Sequence, residues 1–214
     1  MTVRVLIVDD HAVMRDGLRA LLEAQPKLEV VGSVGDGYQA LRAIKDTRPD
    51  VVLMDIAMPR LNGIEATRHI VEANPQIRVV ILSMHATAEH IYRAFRAGAK
   101  GYLLKESAGQ NVVEAVRAVH AGKLYLCAKV TAAMVGSYVT NPPEVSPLDS
   151  LSGRERQILQ LAAEGWSSAQ IGAQLTLSPK TVDTYRSRLM NKLKINDLPN
   201  LVKFAIQHGL IPLD

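Results

Sequence analysis

The chain has 214 residues, of which 48% are hydrophobic and 21% charged, and its formal net charge is +4. This length suits one or two globular domains. No apolar run is long enough to cross a membrane, no secretion signal precedes the first strand-like run, and the single cysteine, Cys127, excludes an internal disulfide or a cysteine-rich zinc site. These features predict a cytoplasmic protein.

Short β-branched runs alternate with segments of helical spacing over the first part of the chain. Five strand–helix pairs in series favour an open parallel sheet with helices on both faces. Among the common doubly wound orders, 2-1-3-4-5 suits five strands. We therefore predict a flavodoxin-like α/β domain over residues 1–122. The predicted strands are Val3–Val8, Leu28–Val34, Val51–Met54, Ile77–Leu82 and Gly101–Leu104.

A proline-rich segment then interrupts the alternation. The stretch "TNPPEVSPLDS", residues 140–150, contains three of the ten prolines. Such segments are extended, stiff and poorly helical. We predict a linker over residues 123–148, with one additional helix at 127–139.

The rest of the chain, residues 149–214, has a helical pattern throughout. Ser152, Ser167 and Ser178 each stand where a serine caps a helix, and Pro179 occupies a first helical position. A short helix, a tight turn and a longer basic helix predict a helix-turn-helix in a small all-α domain.

Polar residues follow the predicted strands at one edge of the sheet. Asp9 and Asp10 end the first strand, Asp55 the third, Ser83 the fourth and Lys105 the fifth. Ligands of such sheets bind at this edge, where the strand order reverses. Three close carboxylates cannot all stay ionised without a cation, and oxygen ligands suit Mg²⁺. The pattern predicts a Mg²⁺ site in which Asp55 is a candidate nucleophile toward a phosphoryl group.

At these positions the chain resembles a two-component response-regulator receiver domain, through "LIVDDH", "VVLMDIAMPRLNGIEATR", "VVILSMH" and "AGAKGYLLK". The resemblance implies that Asp55 is the phospho-acceptor. It also implies that Asp10 and Asp55 bind Mg²⁺ directly, Asp9 through water, and Ala57 through its carbonyl.

The same resemblance implies roles for three further residues. Ser83 and Tyr102 would form a switch pair, and Lys105 would pair with the phosphoryl group. For Tyr102, a strand-edge aromatic without a switching role is the alternative. Many receivers have a cis proline after this lysine, whereas Glu106 follows here, which puts a cis peptide in doubt.

The helical domain, through "LSGRERQILQLAAEGWSSAQIGAQLTLSPKTVDTYRSRLMNKLKI", resembles the LuxR-type helix-turn-helix. A receiver followed by this domain is similar to the NarL/FixJ subfamily. The resemblance implies a phosphorylation-controlled bacterial transcription regulator. Its partners would be a sensor histidine kinase and double-stranded DNA, with a homodimer when phosphorylated or DNA-bound, and no membrane.

The segment 178–194 carries five Lys or Arg against one Asp, either as a solvated helix face or as a DNA-binding face. Lys and Arg suit phosphates, and Thr184 and Ser187 suit base edges. Asp183 accepts a hydrogen bond from a cytosine amine or complements the helix dipole. The candidate DNA contacts are Lys180, Thr181, Asp183, Thr184, Arg186, Ser187, Arg188 and Lys192.

Three functions remain open at this point. The first is a phosphorylated switch rather than a turnover enzyme. The second is a Mg²⁺-dependent phosphohydrolase, which usually needs a second acid two residues beyond the nucleophile, where this chain has Ala57. The third is a constitutive DNA-binding protein with a vestigial receiver, which the complete set of site residues disfavours.

For the switch, the simplest coupling is masking. The unphosphorylated receiver would cover the basic helix, and released domains would pair through Leu198, Leu201, Val202 and Ala205 of the last helix.

Overall fold

The structure, a computed structural model, describes residues 2–140 and 146–211. Residues 141–145 of the proline-rich stretch at 140–150 therefore lie outside the described residues. No helix in the described ranges is both long and apolar enough to span a membrane.

The N-terminal domain is built on a parallel sheet of six strands in the order β2-β1-β3-β4-β5-β6. The central strands are buried on both faces, as expected for a parallel sheet between two helical layers. The predicted order 2-1-3-4-5 is confirmed for the first five strands. The strands are β1 Val3–Val8, β2 Leu28–Val34, β3 Val51–Asp55, β4 Arg78–Ser83, β5 Gly101–Leu104 and β6 Tyr125–Leu126.

The predicted strand count of five was wrong. The sixth strand has two residues, which pair with Gly101 and Tyr102 of β5. A two-residue strand is too short to show an alternating pattern, so the sequence contained no signal for it.

Helices cover both faces of the sheet. Polar side chains cap three of them, since Asp36, Asn62 and Thr87 each accept a hydrogen bond from a backbone N–H in the first turn. The helices are α1 Ala12–Glu23, α2 Gly37–Thr47, α3 Gly63–Ala73, α4 Ala88–Arg96 and α5 Ala108–His120, with a 3₁₀ turn at Lys105–Ser107.

The additional helix expected at 127–139 is present as α6, Ala128–Thr140. Its Val130 and the neighbouring Cys127 are buried in the core of the N-terminal domain. Cys127 is therefore the small apolar filler that a lone cysteine usually is. Both β6 and α6 fall inside the segment predicted as linker and extend the receiver's packing.

The C-terminal domain consists of a 3₁₀ turn at Pro147–Ser150 and four helices around a separate apolar core. Ser152 forms a capping box with Glu155, and Ser167 and Ser178 cap the next two helices, as predicted. The helices are α7 Gly153–Ala163, α8 Ser168–Leu175, α9 Pro179–Leu193 and α10 Leu198–Gln207.

The turn between α8 and α9 depends on Gly172. A Cβ at this position would lie 2.6 Å from the carbonyl oxygen of Leu177. The glycine thus allows the chain to fold back closely onto α8, which offsets its cost of about 1 kcal/mol inside a helix.

The two domains pack against each other through polar side chains, while their apolar cores stay separate. Arg156 of α7 forms a buried ion pair with Glu65 of α3, at 2.6 Å between Nε and Oε1. At the other end, Arg93 of α4 donates to the carbonyl oxygen of His208, which follows α10. The receiver therefore contacts α7 and the end of α10.

The expectation that the receiver covers the basic helix is wrong for this arrangement. The outward residues of α9, including Thr184, Ser187 and Arg188, are exposed. The expected pairing surface on α10 also needs correction, because Leu201 and Ala205 are fully buried in their own domain. Only Leu198, 43% exposed, and the half-buried Val202 remain of that set.

Candidate phospho-acceptor site and helix-turn-helix

The adjacent strands β1 and β3 bring the predicted acids together. Val8 and Met54 are paired in the sheet, so Asp9 and Asp55 leave the two strands side by side. One ligand atom from each of Asp9, Asp10, His11 and Asp55 can be chosen so that all four lie within 4.8 Å of one another. The predicted convergence of three carboxylates at the switch point is therefore present in the structure.

Lys105 is the cation of this cluster. Its Nζ lies 2.8 Å from Asp9 Oδ2 and 2.9 Å from Asp55 Oδ2, and all three side chains are buried. Burial opposes the charge on Lys105, but Asp55 and Asp9 together raise the pKa of its ammonium. Burial raises the pKa of Asp55 to about 7, Asp9 adds to this rise, and Lys105 opposes it.

The donor set fits a hard divalent cation. Asp9 Oδ2, Asp10 Oδ1 and Asp55 Oδ2 are buried and accept no hydrogen bond of good geometry, although Lys105 lies near two of them. One ammonium cannot neutralise three carboxylates, and Mg²⁺ binds through such carboxylate oxygens. The predicted ligand Ala57 lies half-buried in the loop after Asp55.

Two residues beside the acids, His11 and Arg15, were not predicted from the sequence. His11 donates its backbone N–H to Asp9 Oδ1, and its Nδ1 lies 2.7 Å from Asp10 Oδ1. Arg15 donates from Nη1 to the carbonyl oxygens of Asp9 and Asp10 at 2.7 and 3.1 Å. Their proximity to the aspartates along the chain was the only available signal.

Ser83 and Tyr102 are linked through His85. Ser83 Oγ accepts a hydrogen bond from the backbone N–H of His85, and the Tyr102 hydroxyl donates to its carbonyl oxygen at 2.8 Å. The Tyr102 ring is fully buried and β6 flanks its strand, so Tyr102 does not lie at an edge of the sheet, and its switching role stays a prediction. The Lys105–Glu106 peptide is trans, and Glu106 pairs with Lys129 of α6.

Four of the eight predicted DNA contacts lie on the outward face of α9 and are exposed. They are Lys180, Thr184, Ser187 and Arg188. Thr181 joins the Ser178 cap instead, through a contact of 2.8 Å between their hydroxyls.

Three further predicted DNA contacts instead bind other side chains of the C-terminal domain. Asp183 accepts a hydrogen bond of 2.5 Å from Ser168 of α8, a role that neither sequence interpretation included. Arg186 donates to the same hydroxyl at 3.4 Å. Lys192 pairs with Glu155 at 2.8 Å, which ties α9 to the start of α7.

Each half of the chain matches a known protein family. Residues 5–117 match the family described as response regulator receiver domain, and residues 149–205 match bacterial regulatory proteins of the luxR family. The chain is a response regulator of the NarL/FixJ type.

Relatives of this response regulator cover nearly its whole length. Response regulator UvrY of Escherichia coli (strain K12) is 39% identical over 208 residues, which are 97% of this chain and 95% of UvrY. Oxygen regulatory protein NreC of Staphylococcus carnosus (strain TM300) is 36% identical over 97% of this chain and 99% of NreC. A LuxR-family response regulator from Aurantimonas sp. SI85-9A1 has a crystal structure with a TM-score of 0.63 at 37% identity, covering 65% of this chain and 99% of that one.

In this response regulator, Gly63 controls the backbone behind Asp55. A Cβ on Gly63 would lie 1.8 Å from the carbonyl oxygen of Asp55. The Gly63 N–H donates to the carbonyl oxygen of Ile56, which closes the loop at 2.9 Å. The start of α3 therefore packs directly on the residue that carries the candidate nucleophile.

We expect Gly63→Ala to lower both stability and phosphorylation. The added methyl must displace Asp55 or the start of α3, and such overpacking costs about 1–3 kcal/mol. Thermal unfolding and the rate of modification by acetyl phosphate measure the two effects. Gly109→Ala is the matched control, because a Cβ there meets nothing within 4 Å. Equal stability and equal phosphorylation rates for the two variants would show that the close approach is unimportant.

Proposed function

We propose that Asp55 accepts a phosphoryl group from a sensor histidine kinase, with Mg²⁺ bound, and that this modification controls DNA binding by the C-terminal domain. The observation that carries the proposal is the juxtaposition of Asp55 with Asp9 and Lys105 in a buried cluster, within 2.9 Å of the lysine Nζ. A nucleophile, a charge-neutralising cation and acidic metal ligands in one place suit phosphoryl transfer.

The transfer uses groups that this chain supplies. An Asp55 carboxylate oxygen attacks phosphorus in line, the Asp55–phosphorus bond forms, and the bond from phosphorus to the donor's histidine nitrogen breaks. Lys105 Nζ binds an oxygen of the transferred group. Asp10, Asp55 and the Ala57 carbonyl would hold Mg²⁺ directly, and Asp9 would hold it through water. Mg²⁺ supplies charge neutralisation for the phosphoryl oxygens.

After transfer, Ser83 and Tyr102 form the switch pair. The Ser83 hydroxyl turns to a phosphoryl oxygen and gives up its bond to the His85 N–H. Because the Tyr102 hydroxyl is bound to the same residue, a shift of His85 changes the position of both. The protein holds the phosphoryl group rather than turning over, because Ala57 stands where a phosphohydrolase has its second acid.

For the whole chain, we assign residues 1–122 to the receiver, 123–148 to a linker whose β6 and α6 pack on the receiver, and 149–214 to DNA binding. The protein acts in the cytoplasm and binds double-stranded DNA as a homodimer. The exposed residues of α9 enter the major groove. Asp183 stays bound to Ser168 and orients α9 against α8.

We expect phosphorylation to require a divalent cation. Three carboxylates repel one another and an incoming phosphoryl group unless a cation is present. Incubation of the full chain with acetyl phosphate and Mg²⁺ should add one phosphoryl group by intact mass, and excess chelator should prevent the addition. Modification at an undiminished rate in chelator would refute the metal's role and weaken the proposed function.

We expect Arg188→Ala to weaken binding to all DNA sequences. Its exposed guanidinium suits a phosphate, so its loss should lower the salt slope by about 1. Lys192→Ala should act in the same direction, although Lys192 also holds Glu155. Substitutions of Thr184 and Ser187 should instead change which sequences are preferred.

Fluorescence anisotropy over a salt series measures this effect. Arg117→Ala on α5 is the control, because Arg117 is also exposed but lies on the receiver. If Arg188→Ala left non-specific affinity and its salt slope at the control's values, the phosphate contact would be wrong.

A further inference from the structure

A cavity of about 550 Å³ lies between the two domains, away from the acidic cluster. Helices α2 and α3 of the receiver form one wall, and α7 and α8 of the C-terminal domain form the other. Volumes of about 300–1,000 Å³ are typical of small-molecule sites. The apolar part of its lining includes Leu41, Leu61, Ile70 and Leu175.

The charged side chains that line this cavity are all cationic. Arg42 and Lys45 come from α2, and Arg154 comes from the first turn of α7. No aspartate or glutamate is among the lining residues, and no ion pair joins these three cations to a carboxylate in the described part of the chain. Arg42 and Lys45 are exposed and Arg154 is half-buried, and three cations along one cavity without a neutralising acid favour an anionic occupant.

The polar side chains of the cavity form a network across the domain boundary. Arg154 donates to Gln157 Oε1 at 3.2 Å, and the Gln157 side-chain nitrogen lies 3.0 Å from His69 Nε2. This network uses one of the five N–H donors of a guanidinium. Arg154 is therefore held by one hydrogen bond at the cavity wall, and its other donors are not used by this network.

Tyr38 adds a buried polar group, beside the Gln174 side chain. Its hydroxyl is buried and forms no hydrogen bond of good geometry, and burial raises the pKa of the phenol, opposed by the nearby Gln174 side chain. A buried hydroxyl without a partner costs free energy, which a bound polar group would recover.

We propose that this interdomain cavity binds a small organic anion. A phosphate or carboxylate group is held by Arg42, Lys45 and Arg154, for which guanidinium groups are suited through paired N–H donors. The apolar or aromatic body of the ligand packs on Leu41, Ile70 and Leu175.

A ligand in this position regulates the arrangement of the domains. Because its contacts come from both walls, it binds the docked arrangement better than a separated one, and by linkage it stabilises docking. The site adds a second input, independent of phosphorylation at Asp55, by which a metabolite controls the regulator.

Isothermal titration calorimetry of the full chain, in chelator so that the acidic cluster holds no metal, tests this inference. The probes are phenyl phosphate and benzoate, which separate phosphate from carboxylate recognition, and benzyl alcohol, which keeps the ring without the charge. We expect saturable binding of at least one anion, with benzyl alcohol at least tenfold weaker. Inorganic phosphate should also bind at least tenfold more weakly, because it lacks the apolar body.

Variants locate the site. Arg42→Ala and Arg154→Ala should each weaken binding of the anion at least tenfold, while Arg117→Ala, an exposed arginine on the receiver outside the cavity, should leave it unchanged. Unchanged thermal midpoints for the two cavity variants show that their folds are intact. The inference is overturned if neither anion binds saturably, if benzyl alcohol binds as tightly, or if the two cavity variants bind like the control.

Discussion

Asp55→Asn is expected to abolish phosphorylation of the full chain by acetyl phosphate and Mg²⁺. The amide keeps the shape of the carboxylate and its place 2.9 Å from the lysine Nζ, but its neutral oxygen is a poor nucleophile. Intact mass after incubation should show one added phosphoryl group on the wild type and none on the variant. This is the largest effect expected of any single substitution, because it removes the proposed attacking group itself.

Asp16→Asn is the matched control, since Asp16 is an exposed acid of the same domain. It should be phosphorylated at the wild-type rate. Stoichiometric phosphorylation of Asp55→Asn would assign the phosphoryl group to another residue.

The same variant should also change the pH dependence of stability in metal-free protein. Burial raises the pKa of Asp55 from 3.8 to about 7, so the unfolded chain loses this proton at lower pH than the folded one. The stabilising contribution is therefore present at low pH and is lost as pH rises through this window. Asp55→Asn removes the effect, and we expect it to be more stable than the wild type in chelator at pH above about 7.

Arg156→Ala is expected to separate the two domains. Arg156 binds Glu65 through Nε and Nη2, at 2.6 and 3.2 Å, and both side chains are buried. Removing one member of a buried ion pair costs about 3–5 kcal/mol, because the other charge is left without its partner. We expect the two domains to separate, because separation exposes Glu65 to water and removes this cost.

Small-angle scattering and hydrogen exchange measure the separation. The radius of gyration should rise, and amides around Asn62 should lose protection. Arg96→Ala is the matched control, because Arg96 also crosses the interface, to Asp149, but is more than half exposed. Such pairs contribute about 0–1 kcal/mol. Identical scattering from the two variants would show that the buried pair does not hold the domains together.

The docking geometry suggests how phosphorylation reaches the C-terminal domain. The loop that follows Asp55 is hydrogen-bonded directly to α7. Gln160 donates to the Met58 carbonyl oxygen at 2.9 Å and accepts from the Asn62 N–H at 3.0 Å, and Glu164 accepts from the Arg60 N–H. A phosphoryl group on Asp55 that shifts this loop changes these contacts, which is the differential interaction that a conformational switch requires.

This route replaces the earlier expectation that the unphosphorylated receiver covers the basic helix α9. Because the outward face of α9 is exposed while the domains are docked, we infer that docking would limit DNA binding by restricting how two C-terminal domains are oriented toward two half-sites. Release frees both domains of a dimer to bind together, and the second contact gains from effective concentration.

Sequence patterns were sufficient for most of the fold and for the acidic cluster. Strand periodicity located β1 and β3, and topology then placed Asp9 and Asp55 side by side. Serine caps with helical spacing located α7, α8 and α9. These features are local or follow from general rules of sheet order, so a single sequence contains them.

Contacts between distant polar residues could not be predicted. Glu65 and Arg156 are 91 positions apart, and each alone resembles an ordinary surface charge. The pairing surface predicted on α10 was wrong for a related reason. An apolar stripe shows that a helix face is covered, but not whether its own domain or a second chain covers Leu201.

We propose that phosphorylation of Asp55 controls DNA binding, and one titration measures this control. A DNA fragment selected from a random library is titrated with wild type and with Asp55→Asn, each before and after treatment with acetyl phosphate and Mg²⁺, by anisotropy at one salt concentration. We expect treatment to raise the affinity of the wild type at least tenfold and to leave that of the variant unchanged. An equal change in both proteins, or no change in the fully phosphorylated wild type, would contradict it.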